Sequence, residues 1–164
     1  MRARWEGLHH RLNRAITLKR FDQIDALLAE ARTLLEEMAA WDVNVVTRLN
    51  LIGDHYHEEA GDNRRAEETY RSALKIAESK SLTQGIAQSL NNLSLMLLRQ
   101  SRAEEAEALL RRLQAVLEET HGAQHPETAV CLENLSAALR QQGKNQEATH
   151  ARRGAAEANR NADS

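Results

Sequence analysis

The sequence predicts an all-α protein built as a stack of four antiparallel helical hairpins. Two observations carry the prediction. An alanine returns with similar surroundings at Ala26, Ala66, Ala106 and Ala148, at spacings of 40, 40 and 42 residues. A fixed period in this range marks a stacked repeat, because each hairpin must bury its apolar face against the next. The composition agrees: the 164 residues include one Pro and 3% aromatics, and are rich in the helix formers Ala, Leu, Glu and Arg.

Apolar residues recur at three- and four-residue intervals along the whole chain. The stripes run through Leu8, Leu12 and Ile16; Ile24, Leu27, Leu28, Ala31 and Leu34; and Val45, Val46, Leu49, Ile52 and Tyr56. They continue through Ala66, Tyr70, Ala73, Leu74 and Ala77; Leu90, Leu93, Met96 and Leu97; and Ala106, Leu109, Leu110, Leu113 and Leu117. Val130, Leu132, Leu135, Ala138 and Leu139, then Ala148, Ala151 and Ala155, close the series. Eight helices result, in repeats spanning about 4–40, 42–79, 81–120 and 124–159 of a single domain, 1–160.

Start and stop signals bound these helices. Asp42 suits a helix cap, with Trp41 placed to staple onto Val46. Ser81 with Gln84, and Ser101 with Glu104, fit capping boxes. Pro126 suits a first helical turn, and Gly61, Gly122 and Gly143 suit helix ends.

The motifs resemble the tetratricopeptide repeat, which places Leu-Gly-x-x-Tyr on its first helix and Ala-x-x-x-Phe-x-x-Ala on its second. Ile52-Gly53-Asp54-His55-Tyr56 and Ala66-Glu67-Glu68-Thr69-Tyr70-Arg71-Ser72-Ala73 match, with one extra residue in the turn between them. Leu93-Ser94 through Leu97 with Ala106 and Leu110, and Leu135-Ser136 through Leu139 with Ala148, match more loosely, and Arg152 stands where an aromatic or leucine usually packs. The resemblance implies a right-handed superhelix. The longer period, the Leu90-Asn91-Asn92-Leu93 segment and the Gly122…His125-Pro126 link are similar to the kinesin light chain class of this family.

That class implies a non-enzymatic adaptor for a protein partner, whose inner helices hold an extended peptide with asparagine amides. Carried over by position, those asparagines are Asn91, Asn92 and Asn134, with Asn50 if the extra turn residue is allowed for, whereas Glu133 departs from the pattern. An amide suits the work because it offers a donor and an acceptor to a peptide unit. Asp54, His57, Leu95, Leu98, Arg99 and Arg140 fall on the same faces. Leu95 and Leu98 admit two readings: an exposed apolar patch in the groove, or burial against neighbouring helices. The asparagines likewise admit a groove or a structural role. Members of this class with no coiled coil ahead of the repeats, the bacterial kinesin light chains, accompany bacterial tubulins. The chain starts directly into its first hairpin, and a tubulin-like filament is the expected partner.

Charge is unevenly spread although the formal net value is −2. Residues 1–21 carry six basic groups against one acidic, and residues 22–80 carry seven against thirteen. Arg4, Arg11, Arg14, Lys19 and Arg20, with Trp5 and Phe21, make a basic first helix. It suits an anionic membrane surface or an acidic protein tail, or is simply solvated while Leu8, Leu12 and Ile16 pack. Nucleic acid fits poorly, because the basic residues do not extend along the stack.

No catalytic constellation emerges. His55 and His57 project about 200° apart on a helix, and His121 and His125 lack a third ligand, so no metal is expected. Cys131 is the single cysteine, among apolar neighbours, and reads as a buried inert thiol in a cytoplasmic protein. Glu104, Glu105 and Glu107 near Arg111 and Arg112 read as solvated ion-pair faces. No cofactor and no small-molecule substrate are expected.

Overall fold

The computed structural model describes residues 2–38, 43–58 and 61–162. Among these the elements are α1 (Arg2–Thr17), α2 (Phe21–Met38), α3 (Val43–Glu58), α4 (Asn63–Ser79), α5 (Thr83–Arg99), α6 (Ala103–His121), α7 (Pro126–Gln141) and α8 (Asn145–Ala162). They pair as four hairpins, α1–α2, α3–α4, α5–α6 and α7–α8, and α4 packs on α5 as α6 does on α7. The proposed Asp42 cap and Trp41 staple lie outside the described residues.

The hairpin turns share one device. A residue in the left-handed region ends the first helix, and the following N–H reaches back five residues to close the turn. Arg20 N donates to Ala15 O, Arg102 N to Leu97 O, and Lys144 N to Leu139 O, each at 2.9 Å. The α3–α4 turn is one residue longer, Asp62 N donating to Tyr56 O at 2.9 Å. The left-handed seats are Lys19, Gly61, Ser101 and Gly143. The α4–α5 link repeats the device with Ser81 at φ 52° and Leu82 N on Ala77 O at 2.9 Å.

This geometry overturns both predicted capping boxes. Ser81 and Ser101 occupy the turn itself, and the caps are Leu82 and Arg102, with no side-chain cap bond. Asp62 does cap α4, its carboxylate accepting from Arg65 N at 3.0 Å. Pro126 opens α7, with His125 Nδ1 accepting from Glu127 N at 3.3 Å.

The turns also correct the repeat register. Ala66, Ala106 and Ala148 each donate their N–H to the residue four positions back that opens their helix, namely Asp62, Arg102 and Lys144. In the first hairpin Ile24 N donates to Arg20 O in the same way. The equivalent of the recurring alanine is therefore Ile24, which is buried, and Ala26 is exposed. An isoleucine fills the seat, so alanine periodicity alone reads the first unit two residues out of register.

The core runs through all four hairpins, with Leu12, Ile24, Ile52, Tyr70, Leu93, Leu97, Leu110 and Leu139 within it. Gly53 lets the Tyr70 ring lie on the backbone of α3, where a Cβ would stand 2.6 Å from Cδ1 and 2.8 Å from Cζ. Ser136 occupies the matching place in the last hairpin and donates to Ala148 O at 2.8 Å. Cys131 is buried, its thiol 3.4 Å from Leu110 O and pushed up to about 12 by burial. Glu107 is not a solvated carboxylate as its sequence neighbours imply. Its side chain is 7% exposed and takes Lys144 at 2.9 Å, Gln142 at 2.7 Å and Arg111 at 2.8 Å. Those donors hold its pKa below the usual carboxylate value, Lys144 contributing most.

Candidate interaction surface on the inner helices

α3, α5 and α7 lie side by side, and cross-links fix their register. Thr47 Oγ1 donates to Gln88 Oε1 at 3.2 Å, Asn50 Nδ2 to Ser89 Oγ at 2.9 Å, and Asn92 Nδ2 to Asp54 Oδ1 at 3.2 Å. Gln141 Nε2 reaches Leu98 O at 3.4 Å and ties the far end of α7 to α5. α5 packs more closely on α3 than on α7. The Gly122–His125 link that precedes α7 is held by Thr128 Oγ1 on Gly122 O at 3.0 Å and a stack of His121 on His125 at 4.5 Å. Between α5, α6 and the start of α7 lies a cleft of about 850 Å³. Gln84, Gln88 and Asn91 form one wall, Pro126 and Val130 the other, and Val116 and Leu117 lie on α6.

The sequence-predicted residues divide on this surface. Asn91 is half-buried and lines the cleft, and Asn134 is half-buried on α7. Asn92 is committed to Asp54, which also accepts from Tyr70 Oη at 2.5 Å. Burial, outweighing the Tyr70 bond, holds the Asp54 pKa above its ordinary value. His57 Nδ1 lies 2.7 Å from Asn63 Oδ1 at the α3–α4 turn, and Arg99 stands 3.7 Å from Glu58. Arg140 is exposed.

Two expectations are corrected. Asn50 has no exposed surface, because Ser89 of the next hairpin covers it, and so cannot touch a partner. Leu95 and Leu98 do not form an exposed patch: Leu98 is 9% exposed and Leu95 packs against the core. Among the described residues, the large apolar side chains exposed on α3, α5 and α7 are Leu51, at 57%, and Val130, at 54%. Sequence reasoning missed both, although Val130 lies one turn before Asn134 and Leu51 aligns with Asn92 once the extra turn residue is counted.

The basic residues of the first hairpin converge in part. Arg11, Arg14 and Arg20 line a recess of about 430 Å³ beside Leu18, which is 49% exposed. Arg11 is paired to Glu30 at 3.2 Å. Arg4 and Lys19 are exposed outside that recess.

Hairpins, turns and register define a solenoid of stacked helical hairpins, and residues 85–152 match the family model of the tetratricopeptide repeat. Among solved structures the chain is similar to BtubC (BKLC) from P. vanneervenii, with TM-score 0.73 and 21% identity over 95% of this chain. It spans 62% of that protein's length. A Podosopora anserina putative kinesin light chain with nearly identical repeats aligns over 97% of this chain and 96% of its own at 13% identity, but its TM-score of 0.39 is too low to bear on the fold. No curated protein sequence matches the chain. Among the described residues no helix is long and apolar enough to cross a membrane, and no three His, Cys, Asp or Glu side chains converge as a metal site.

Proposed function

We propose that the protein is a non-enzymatic adaptor that takes an extended segment of a protein partner along the inner faces of α3, α5 and α7. The observation that carries this is the cleft between α5 and α7, where the Gln88 and Asn91 amides stand beside exposed Val130. Amides satisfy a peptide backbone and the apolar wall takes its side chains. Stacked repeats supply such extended surfaces as a direct result of their geometry.

The favoured partner is a tubulin-like filament. The Leu90-Asn91-Asn92-Leu93 and His125-Pro126 motifs and the fold shared with BtubC support it. Co-sedimentation with preformed bacterial tubulin filaments tests this reading: the protein pellets with filaments, and its absence from the pellet would reject that partner.

A second reading is favoured by a different observation, the grouping of Arg11, Arg14 and Arg20 around exposed Leu18. A cationic recess with an apolar centre suits an anionic membrane surface. Both activities together would make the protein a link between filament and membrane. Binding to phosphatidylserine vesicles should fall steeply in the Arg11→Glu, Arg14→Glu, Lys19→Glu, Arg20→Glu variant; undiminished binding would sink the idea.

A further inference from the structure

Among the described residues, the first hairpin packs on the second less closely than α4 packs on α5 or α6 on α7. Polar contacts anchor it at the α1–α2 turn. His55 Nε2 donates to Ile16 O at 3.0 Å, Tyr56 Oη to Asp25 Oδ1 at 2.5 Å, and Arg65 pairs with Asp25 at 2.8 Å. Phe21 lies against the rings of His55 and Tyr56. Toward Trp5 the seat is open. A cavity of about 220 Å³, with Trp5, Leu28, Leu49 and Ile76 among its walls, separates the two hairpins. A recess of about 340 Å³ opens on the inner side between α1 and α3.

Arg48 of α3 borders both voids and lies 5.8 Å from the centre of the Trp5 ring, and His9 of α1 borders the recess. Each residue has a buried nitrogen without a hydrogen-bond partner among the described residues, His9 Nδ1 and Arg48 Nη1. Buried polar atoms are almost always satisfied, so this is a weak point of the seat. His9 Nε2 lies 3.1 Å from Asn13 Nδ2. An amide nitrogen only donates, so the neutral ring accepts there and carries its proton on Nδ1. A second proton, on Nε2, would cancel that bond. Both ring nitrogens would then be donors without acceptors, in a charged ring opposite a guanidinium. The described residues that line the recess include no carboxylate, and none comes from α2. The charges acting on His9 are Arg48 from α3 and His10 on its own helix; burial first, and then these two, hold its pKa below the ordinary value. His55 differs, because its Nε2 donates to a carbonyl in either charge state and that contact survives acid.

We propose that the first hairpin is a pH-sensitive arm: protonation of His9 releases the Trp5 end of α1 from α3, while the Ile16–Asp25 end stays anchored through His55, Tyr56 and Arg65. Proton linkage fixes the direction. The released ring holds its proton more tightly than the docked one. Docking is therefore at full strength above the ordinary histidine value of about 6.5, and weakens as pH falls from there through the docked ring's lower value. The ratio of released to docked arm rises about tenfold for each unit that separates the two pKa values.

Trp5 reports the release in the full chain once Trp41→Phe removes the other tryptophan. Acrylamide quenching of Trp5 is followed from about pH 8 to about pH 5, across the histidine range, beside far-ultraviolet circular dichroism. The quenching constant should rise by roughly twofold or more on acidification, as local opening brings the half-buried ring into water, with helix content kept. The midpoint should lie below about 6.5. His9→Gln cannot titrate and should abolish the rise. Arg48→Met, which removes the opposing charge, should shrink the rise and move its midpoint up toward the ordinary value; a role for Arg48 in packing alone would not move it. If Arg48→Met fails to fold, His9→Gln carries the test. A flat profile in the wild type, an equal rise in His9→Gln, a folded Arg48→Met variant with the wild-type profile, or loss of helix content in step with the quenching would overturn the proposal.

Discussion

At the scale of single residues, position along a repeat predicts a side chain's place, and its neighbour in the next hairpin decides its exposure. Asn50 and Asn91 occupy matching positions, yet Ser89 seals Asn50 while the α5–α7 opening leaves Asn91 half-exposed. That difference arises from the spacing of helices far apart in sequence, so no local pattern could reveal it. Glu107 illustrates the same limit: its partners Gln142 and Lys144 lie a whole repeat away. Because its folded pKa is depressed, its stabilisation is fully present above the unfolded carboxylate pKa and is lost as pH falls through the folded value. Glu107→Gln should cost about 1–3 kcal/mol at neutral pH in urea unfolding. That difference should shrink toward acid; a pH-independent difference would contradict the role given to the charge. Gly53 was legible from the Leu-Gly-x-x-Tyr motif, and the Tyr70 ring explains it. Gly53→Ala should destabilise by about 1–3 kcal/mol through overpacking, read by thermal melting.

At the scale of elements, the helices were legible because apolar periodicity is a property of each segment alone. The turns were less so. The left-handed seat carries glycine at Gly61 and Gly143 but lysine or serine at Lys19, Ser81 and Ser101. Serine ahead of a helix reads as a cap, and here the backbone closure takes precedence over the side-chain bond. A non-glycine residue in this region is strained by about 1 kcal/mol or more. Ser101→Gly, at φ 61°, should therefore raise the melting temperature, and Gly143→Ala, at φ 76°, should lower it. A fall for Ser101→Gly would mean that its side chain contributes more than its backbone costs. The displaced alanine register has the same origin: Ile24 holds the seat by its place four residues after Arg20, which hydrogen bonding reveals and composition does not.

At the scale of the whole molecule, the solenoid follows from the period, and the inner surface follows from how evenly the repeats stack. The stack is uneven. α3 and α5 are stitched together by Thr47–Gln88, Asn50–Ser89 and Asp54–Asn92, whereas α5 and α7 diverge around the cleft. The proposed partner recognition uses that divergence, and the basic recess of the first hairpin is the rival proposal. The most direct test compares filament co-sedimentation of three proteins: wild type, a Gln88→Ala, Asn91→Ala, Asn134→Ala variant, and an Arg11→Glu, Arg14→Glu, Lys19→Glu, Arg20→Glu variant. The inner-face assignment predicts that the amide variant stays in the supernatant while the other two pellet. Pelleting of the amide variant at wild-type level, with loss confined to the charge-reversed one, would contradict it.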